Sequence, residues 1–210
     1  MEMVEPVASI DEYLESTAYV GSRSDAIIQK AQELCKGLVS EPEKVAACFA
    51  YVRDDVAHTV DIGESTVIRT AEDALFQEHG TCYTKGMLLV ALLRSLEIPA
   101  GFCYQRLFEN SDDDPHFFLH GLTAYYSADQ NSWIRLDPRG GSKDVDAPRV
   151  DADLVSRDYL VFRIDESIGE VDYLTVLPRH PDQVLAILEV SSNCIRMIEQ
   201  DLPTMLDTSA

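Results

Sequence analysis

The chain reads as an α+β domain, and three observations carry that reading. Apolar residues recur at helical spacing through the first half of the chain, segments rich in aromatic and branched residues follow Pro99, and the two textures are segregated rather than alternating. With 210 residues, 46% of them apolar and 8% aromatic, the chain can bury a sizeable core and is expected to form a single domain.

The elements follow in order. Ser24 is placed to cap a helix over 24–38 that carries Ile27, Ile28, Ala31, Leu34, Cys35 and Leu38 on one face. Ser40-Glu41-Pro42-Glu43 has the form of a capping box with proline in the first turn, and Val45, Cys48, Phe49, Val52 and Val56 continue the apolar stripe of a second helix. Thr70-Ala71-Glu72-Asp73 opens a short third helix that Gly80 is expected to end. Cys82 to Leu96 is apolar nearly all round, which predicts a helix at the centre of the molecule. Strands are predicted over Gly101–Phe108, Phe117–Tyr126 and Ser132–Leu136, separated by polar turns. Further strands are expected over Asp158–Ile164 and Asp172–Leu177, and a last helix around Pro181–Gln200. Residues 150–210 read as an extension that could complete the sheet, cover a cleft or form a dimer surface.

Composition narrows the function. There are 17 basic and 37 acidic side chains, a net charge of −20, which argues against nucleic acid or an anionic membrane as partner and is compatible with a neutral or basic substrate. The first residues lack a basic segment followed by an apolar stretch, and no apolar run reaches spanning length, so a cytosolic location is the expectation. The five cysteines, at 35, 48, 82, 103 and 194, form no Cys-x-x-Cys pair. A disulfide framework is not expected, and Cys35, Cys48 and Cys194 read as buried inert thiols on helix faces. Asp112-Asp113-Asp114 lacks EF-hand spacing and reads as a solvated acidic loop.

Cys82 is different. It stands in Gly80-Thr81-Cys82-Tyr83 at the start of the central apolar helix, with His120 and then Trp133-Ile134-Arg135-Leu136-Asp137-Pro138 downstream. Orphan backbone N–H groups and the helix dipole favour thiolate at such a position. These pieces, with Leu96-Glu97-Ile98-Pro99-Ala100 at the helix exit, resemble the core of the transglutaminase-like superfamily over about residues 46–140. That resemblance implies a papain-like cysteine enzyme in which Cys82 is the nucleophile, His120 the general base and later acid, and Asp137 the group that orients His120. Leu122, where members often carry an aromatic, and Glu97, where glycine is frequent, depart from the family pattern.

Elementary energetics agree with that division of labour. A helix terminus contributes about 0.3–1 kcal/mol, less than the roughly 1.36 kcal/mol of one pKa unit. Activating a thiol therefore needs an imidazolium, and a carboxylate behind the imidazole holds its tautomer and charge. His120 and Asp137 are 17 residues apart, enough for one strand, a turn at Asp129-Gln130-Asn131 and the return strand. The alternation His120, Leu122, Ala124, Tyr126 predicts that this face of the strand packs over the central helix.

Around this set, His116 is the rival base, with Pro115 favouring a place at the rim. The backbone N–H of Cys82 is the natural first oxyanion donor, with Gln77 and the Thr81 side chain as candidates for the second. His79 is a flanking loop residue, and Tyr83, Tyr104 and Trp133 either line a groove or pack in the core. A zinc site built from Cys82, Cys103, His116 and His120 is disfavoured because the ligand spacings are wrong, so no metal or cofactor is expected. The expected function is thioester-forming acyl transfer, chiefly hydrolysis of a peptide, protein or small amide substrate. The alternatives are transfer to an amine and a non-catalytic binding module on the same fold.

Overall fold

The computed structural model describes residues 4–110, 115–140 and 148–207. The acidic run at 112–114 lies outside the described residues. After a short strand β1 (Glu5–Pro6), the two capped helices form where their first residues direct. Ser24 Oγ accepts the Ile27 amide at 3.3 Å to start α1 (Asp25–Leu34). Ser40 and Glu43 bond reciprocally at the start of α2 (Glu41–Ala50), which runs on into a π-helical turn at Tyr51–Asp55.

Strand β2 (Ala57–His58) follows, then α3 (Ala71–Gln77), capped by Thr70. This helix ends before Gly80, because Glu78 turns left-handed at φ 56° and His79–Gly80 (β3) pairs in parallel with β2. The pairing sets His58 beside Gly80.

Helix α4 (Cys82–Ser95) is buried from Cys82 to Arg94, as its all-round apolar sequence requires. It leaves through a Schellman turn in which the amides of Glu97 and Ile98 donate to the carbonyls of Arg94 and Leu93 at 3.1 and 3.0 Å. Glu97 takes the left-handed position at φ 60°, so the exit has the geometry that glycine usually supplies.

The strands β4 (Ala100–Glu109), β5 (His116–Ser127), β6 (Ser132–Leu136) and β7 (Val171–Leu177) join β1 in one sheet ordered β1-β7-β4-β5-β6. All neighbours are antiparallel except β1 with β7. A main core surrounds α4 and includes Phe102, Tyr104, Tyr125 and Leu136. A second, smaller one gathers Tyr13, Cys103, Leu122, Ala124 and Val176.

The structure corrects three expectations. Leu122 and Ala124 pack into the smaller core, while Gly121 lies against Tyr83 and Thr123 beside Gly86 of α4. Both faces of β5 are buried, so alternation could not set its phase. Residues 158–164 form only a single bridge, Tyr159 to Leu136, since Asp158 is drawn to Arg135 at 2.8 Å. The last helix is divided into α5 (Asp182–Val190) and α6 (Cys194–Arg196), the latter passing into a π-helical turn at Met197–Asp201. The break falls at Ser191-Ser192-Asn193, where Asn193 Oδ1 accepts the Arg196 amide at 3.0 Å as an N-cap.

Candidate active site

Cys82 occupies the first turn of α4 and is 8% exposed, at a cavity of about 230 Å³. The cavity is shared with His120. Pairing of Thr123 with Leu136 fixes the level of β5 against β6, so the residue just after β6 comes within reach of the histidine. His120 Nε2 lies 2.9 Å from Asp137 Oδ2, and both side chains are buried. The other carboxylate oxygen, Oδ1, accepts the Arg139 amide at 2.9 Å, and the Asp137 amide donates to the Tyr159 carbonyl at 2.8 Å. Asp137 is therefore held at both ends of its carboxylate and through its backbone.

The electrostatics follow from that packing. Burial works against charge on His120, but the attraction of Asp137, its hydrogen bond, and the interaction with the Cys82 sulfur outweigh it and push the imidazole up to about 10. With Nε2 committed to Asp137, Nδ1 is the ring nitrogen left for the sulfur. Phe162 stands edge-on to the ring at 5.0 Å between centroids.

Two polar atoms at this site lack a hydrogen-bond partner, Thr81 Oγ1 and His58 Nδ1. Both residues line the cavity. Burial, with the charges of Arg139, Lys85 and His120 adding to it, lowers His58 to about 3, so its ring is neutral at neutral pH. Thr81 was legible as a candidate donor in the sequence. His58 was not, because it belongs to a two-residue strand whose place depends on β3.

The other candidates are dispersed. Gln77 is exposed at the end of α3 and does not line the cavity. His116 sits half-buried at the start of β5, opposite Glu109, and borders a different depression. Trp133 packs between Tyr13 and Tyr126, with centroids at 4.6 and 5.8 Å. His79 pairs its Nδ1 with Thr59 Oγ1 at 3.0 Å.

Tyr83 borders the cavity, yet its ring is buried and its hydroxyl donates to the Leu119 carbonyl. That ring lies against Gly121, where a Cβ would come within 2.8 Å of it. Behind the same turn of α4 is His180, whose Nε2 donates to the Tyr83 carbonyl at 3.2 Å and whose Nδ1 accepts from the Tyr104 hydroxyl. Burial lowers His180 to about 3.

Lys85, one turn after Cys82, is buried and donates from Nζ to the Val56 carbonyl at 2.6 Å, tying the start of α4 to the end of the π-helical turn that follows α2. The remaining thiols are set apart from this group. Burial raises Cys103 far above an ordinary thiol and Cys194 to about 11. Cys35 and Cys48 lie with their sulfurs 3.9 Å apart, and Cys35 is only half-buried, contrary to the expectation of a buried thiol. Among the described residues no cluster of three or more His, Cys, Asp or Glu could hold a metal ion, and no helix is long and apolar enough to cross a membrane.

Comparison with solved structures finds the same fold in a candidate cysteine protease from Cytophaga hutchinsonii, at 23% identity and a TM-score of 0.50, covering 62% of this chain and 42% of that one. The periplasmic domain of TgpA from Pseudomonas aeruginosa, in its ethylmercury-bound form, matches at 20% identity with a TM-score of 0.45, covering 60% of this chain and 46% of that one. The chain thus spans less than half the length of these matched structures. Comparison with curated proteins returns no match. The family model of the transglutaminase-like superfamily matches residues 28–138, just over half the chain and the segment that carries Cys82, His120 and Asp137. On that match the chain belongs to the transglutaminase-like superfamily.

Proposed function

We propose that the protein is a cysteine-dependent acyl-transfer enzyme that hydrolyses a peptide or other neutral amide through a thioester at Cys82. The observation that carries this reading is the buried His120–Asp137 pair at 2.9 Å, which keeps a cationic imidazole beside the Cys82 sulfur at the edge of a cavity. In the proposed reaction the sulfur attacks the carbonyl carbon, and the resulting oxyanion is met by the Cys82 amide. Thr81 Oγ1 and a neutral His58 ring are the two groups placed to give a second hydrogen bond. The C–N bond then breaks, His120 delivers its proton to the departing amine, and a thioester remains on Cys82. Water attacks that thioester as His120 takes its proton, the C–S bond breaks with its electrons on sulfur, and the acid leaves with the thiolate–imidazolium pair restored.

The test is alkylation by iodoacetamide at pH 6, read by peptide mass spectrometry. Cys82 is expected to react far ahead of the other four thiols, and this lead is expected to vanish in His120→Ala. Mass spectrometry after incubation with a library of peptides and small amides should then trap an acyl adduct at Cys82 that Cys82→Ala lacks. Uniformly slow alkylation would instead favour a binding module that keeps the fold without the chemistry.

A further inference from the structure

We infer that the cavity at Cys82 takes the acyl-side side chain of the substrate, that this side chain is apolar and of leucine to phenylalanine size, and that Phe162, Ile198 and Leu202 select it. The inference rests on the acyl-transfer reading above and adds the class of substrate to it.

Chemistry of the lining excludes charged side chains. Its apolar members are Val60, Phe118, Phe162, Ile198 and Leu202. The cationic members are already answered: Arg139 is bound to both oxygens of Asp61 at 3.0 Å, and His120 is bound to Asp137. An acidic substrate side chain would find no unpaired cation, and a basic one would have to desolvate among apolar walls, with only Glu109 at an exposed position. At about 230 Å³ the space is smaller than the roughly 300–1,000 Å³ of pockets that swallow whole ligands. It suits one side chain, with the rest of the substrate outside.

The wall is built rather than loosely draped. Met197 is fully buried and roots the π-helical turn, while its neighbours Ile198 and Leu202 line the cavity. Beyond them the chain is strapped across the sheet. The Leu119 amide donates to the Pro203 carbonyl at 2.8 Å, Arg106 Nε to the Thr204 carbonyl at 3.0 Å, and the Leu206 amide to the Tyr173 hydroxyl at 3.1 Å. Phe162, Ile198 and Leu202 all lie outside residues 28–138, so the family core holds the proposed triad and the C-terminal extension supplies the selecting surface.

The test uses aminoacyl chloromethyl ketones, blocked at nitrogen, that differ only in side chain: Gly, Ala, Leu, Phe, Asp and Lys. Alkylation of Cys82 is followed by intact mass, and each rate is divided by that of iodoacetamide on the same variant. A missing group in an apolar pocket changes selectivity by about 10–200-fold. The Leu and Phe reagents are therefore expected to exceed the Gly and Asp reagents by about 30-fold or more. Leu202→Ala and Ile198→Ala are each expected to cut the Leu-to-Gly ratio about tenfold, and Ile198→Phe to shift preference toward Ala.

A flat profile, a preference for Asp or Lys, or ratios unchanged in all three variants would overturn the inference. Loss of reactivity with iodoacetamide itself would count against the acyl-transfer reading. The ratios would still be read at pH 9, where unactivated thiols alkylate, so the two failures stay distinguishable. Circular-dichroism melts confirm that each variant is folded.

Discussion

Two buried histidines flank the first turn of α4, and they are in opposite charge states. His120 faces Asp137 and is pushed up to about 10, while His180 faces the Tyr104 hydroxyl and the Tyr83 carbonyl and is lowered to about 3. Burial opposes charge at both, so burial alone does not distinguish them. What differs is chiefly one carboxylate, with the Cys82 sulfur adding to it. His180 is packed like a core residue, against Phe102 at 3.8 Å between ring centroids, and its neutral ring needs one donor and one acceptor, which it has. The side of the turn with the carboxylate holds a charged imidazole, and the other side fixes the helix in place.

Asp137→Asn is the strongest way to break the contrast. It is expected to turn His120 into a second His180, dropping its pKa from about 10 to below the free value, as followed by histidine ring NMR. Alkylation of Cys82 at pH 6 should slow by about 10²-fold, because a thiol near its free pKa of about 8.5 is less than about 1% thiolate there.

Stability against pH separates the two residues next. The raised value of His120 means that its paired charge stabilises the fold fully below about 6.5 and that this is lost as pH rises through about 10. The lowered value of His180 means that its neutral form stabilises the fold above about 6.5 and that this is lost as pH falls through about 3. Urea unfolding should show a slope of up to about 1.4 kcal/mol per pH unit from each. The alkaline limb is expected to disappear in Asp137→Asn while the acid limb persists.

Tyr104→Phe sharpens the comparison from the other side. It leaves His180 Nδ1 buried without its donor, at a cost of about 1–3 kcal/mol in a urea melt. The alkylation rate of Cys82 should change by less than about threefold, because the charged pair is untouched. The smallest effect belongs to the far end of the same helix. Glu97→Gly removes a side chain from a left-handed position and is expected to stabilise the protein by about 0.5–1 kcal/mol, measured by thermal melting.

The difference between the two histidines also marks what the sequence made legible. His120 and Asp137 could be paired because an antiparallel turn is a local relation that chain spacing reveals. His180 and His58 owe their positions to contacts with distant segments, α4 in one case and β3 in the other, and neither carries a motif. Capping chemistry placed the starts of α1, α2 and α3 well, since Ser24, Ser40 and Thr70 each act within a single turn. Where the outcome turned on burial of both strand faces, as in β5, or on a polar break such as Ser191-Ser192-Asn193, pattern alone misassigned the phase of the strand or the length of the helix. The sequence leaves the role of the C-terminal extension open, since nothing near Ile198 or Leu202 in sequence points to Cys82.

Gly121 has a consequence that reaches past its own position. Its missing side chain lets the Tyr83 ring press against the strand, and it sits between His120, its chain neighbour, and a tyrosine that is the chain neighbour of Cys82. The distance from sulfur to imidazole is thus gauged by a single absent carbon. Even an alanine there would have to push the Tyr83 ring off the strand, and with it the turn of α4 that carries Cys82.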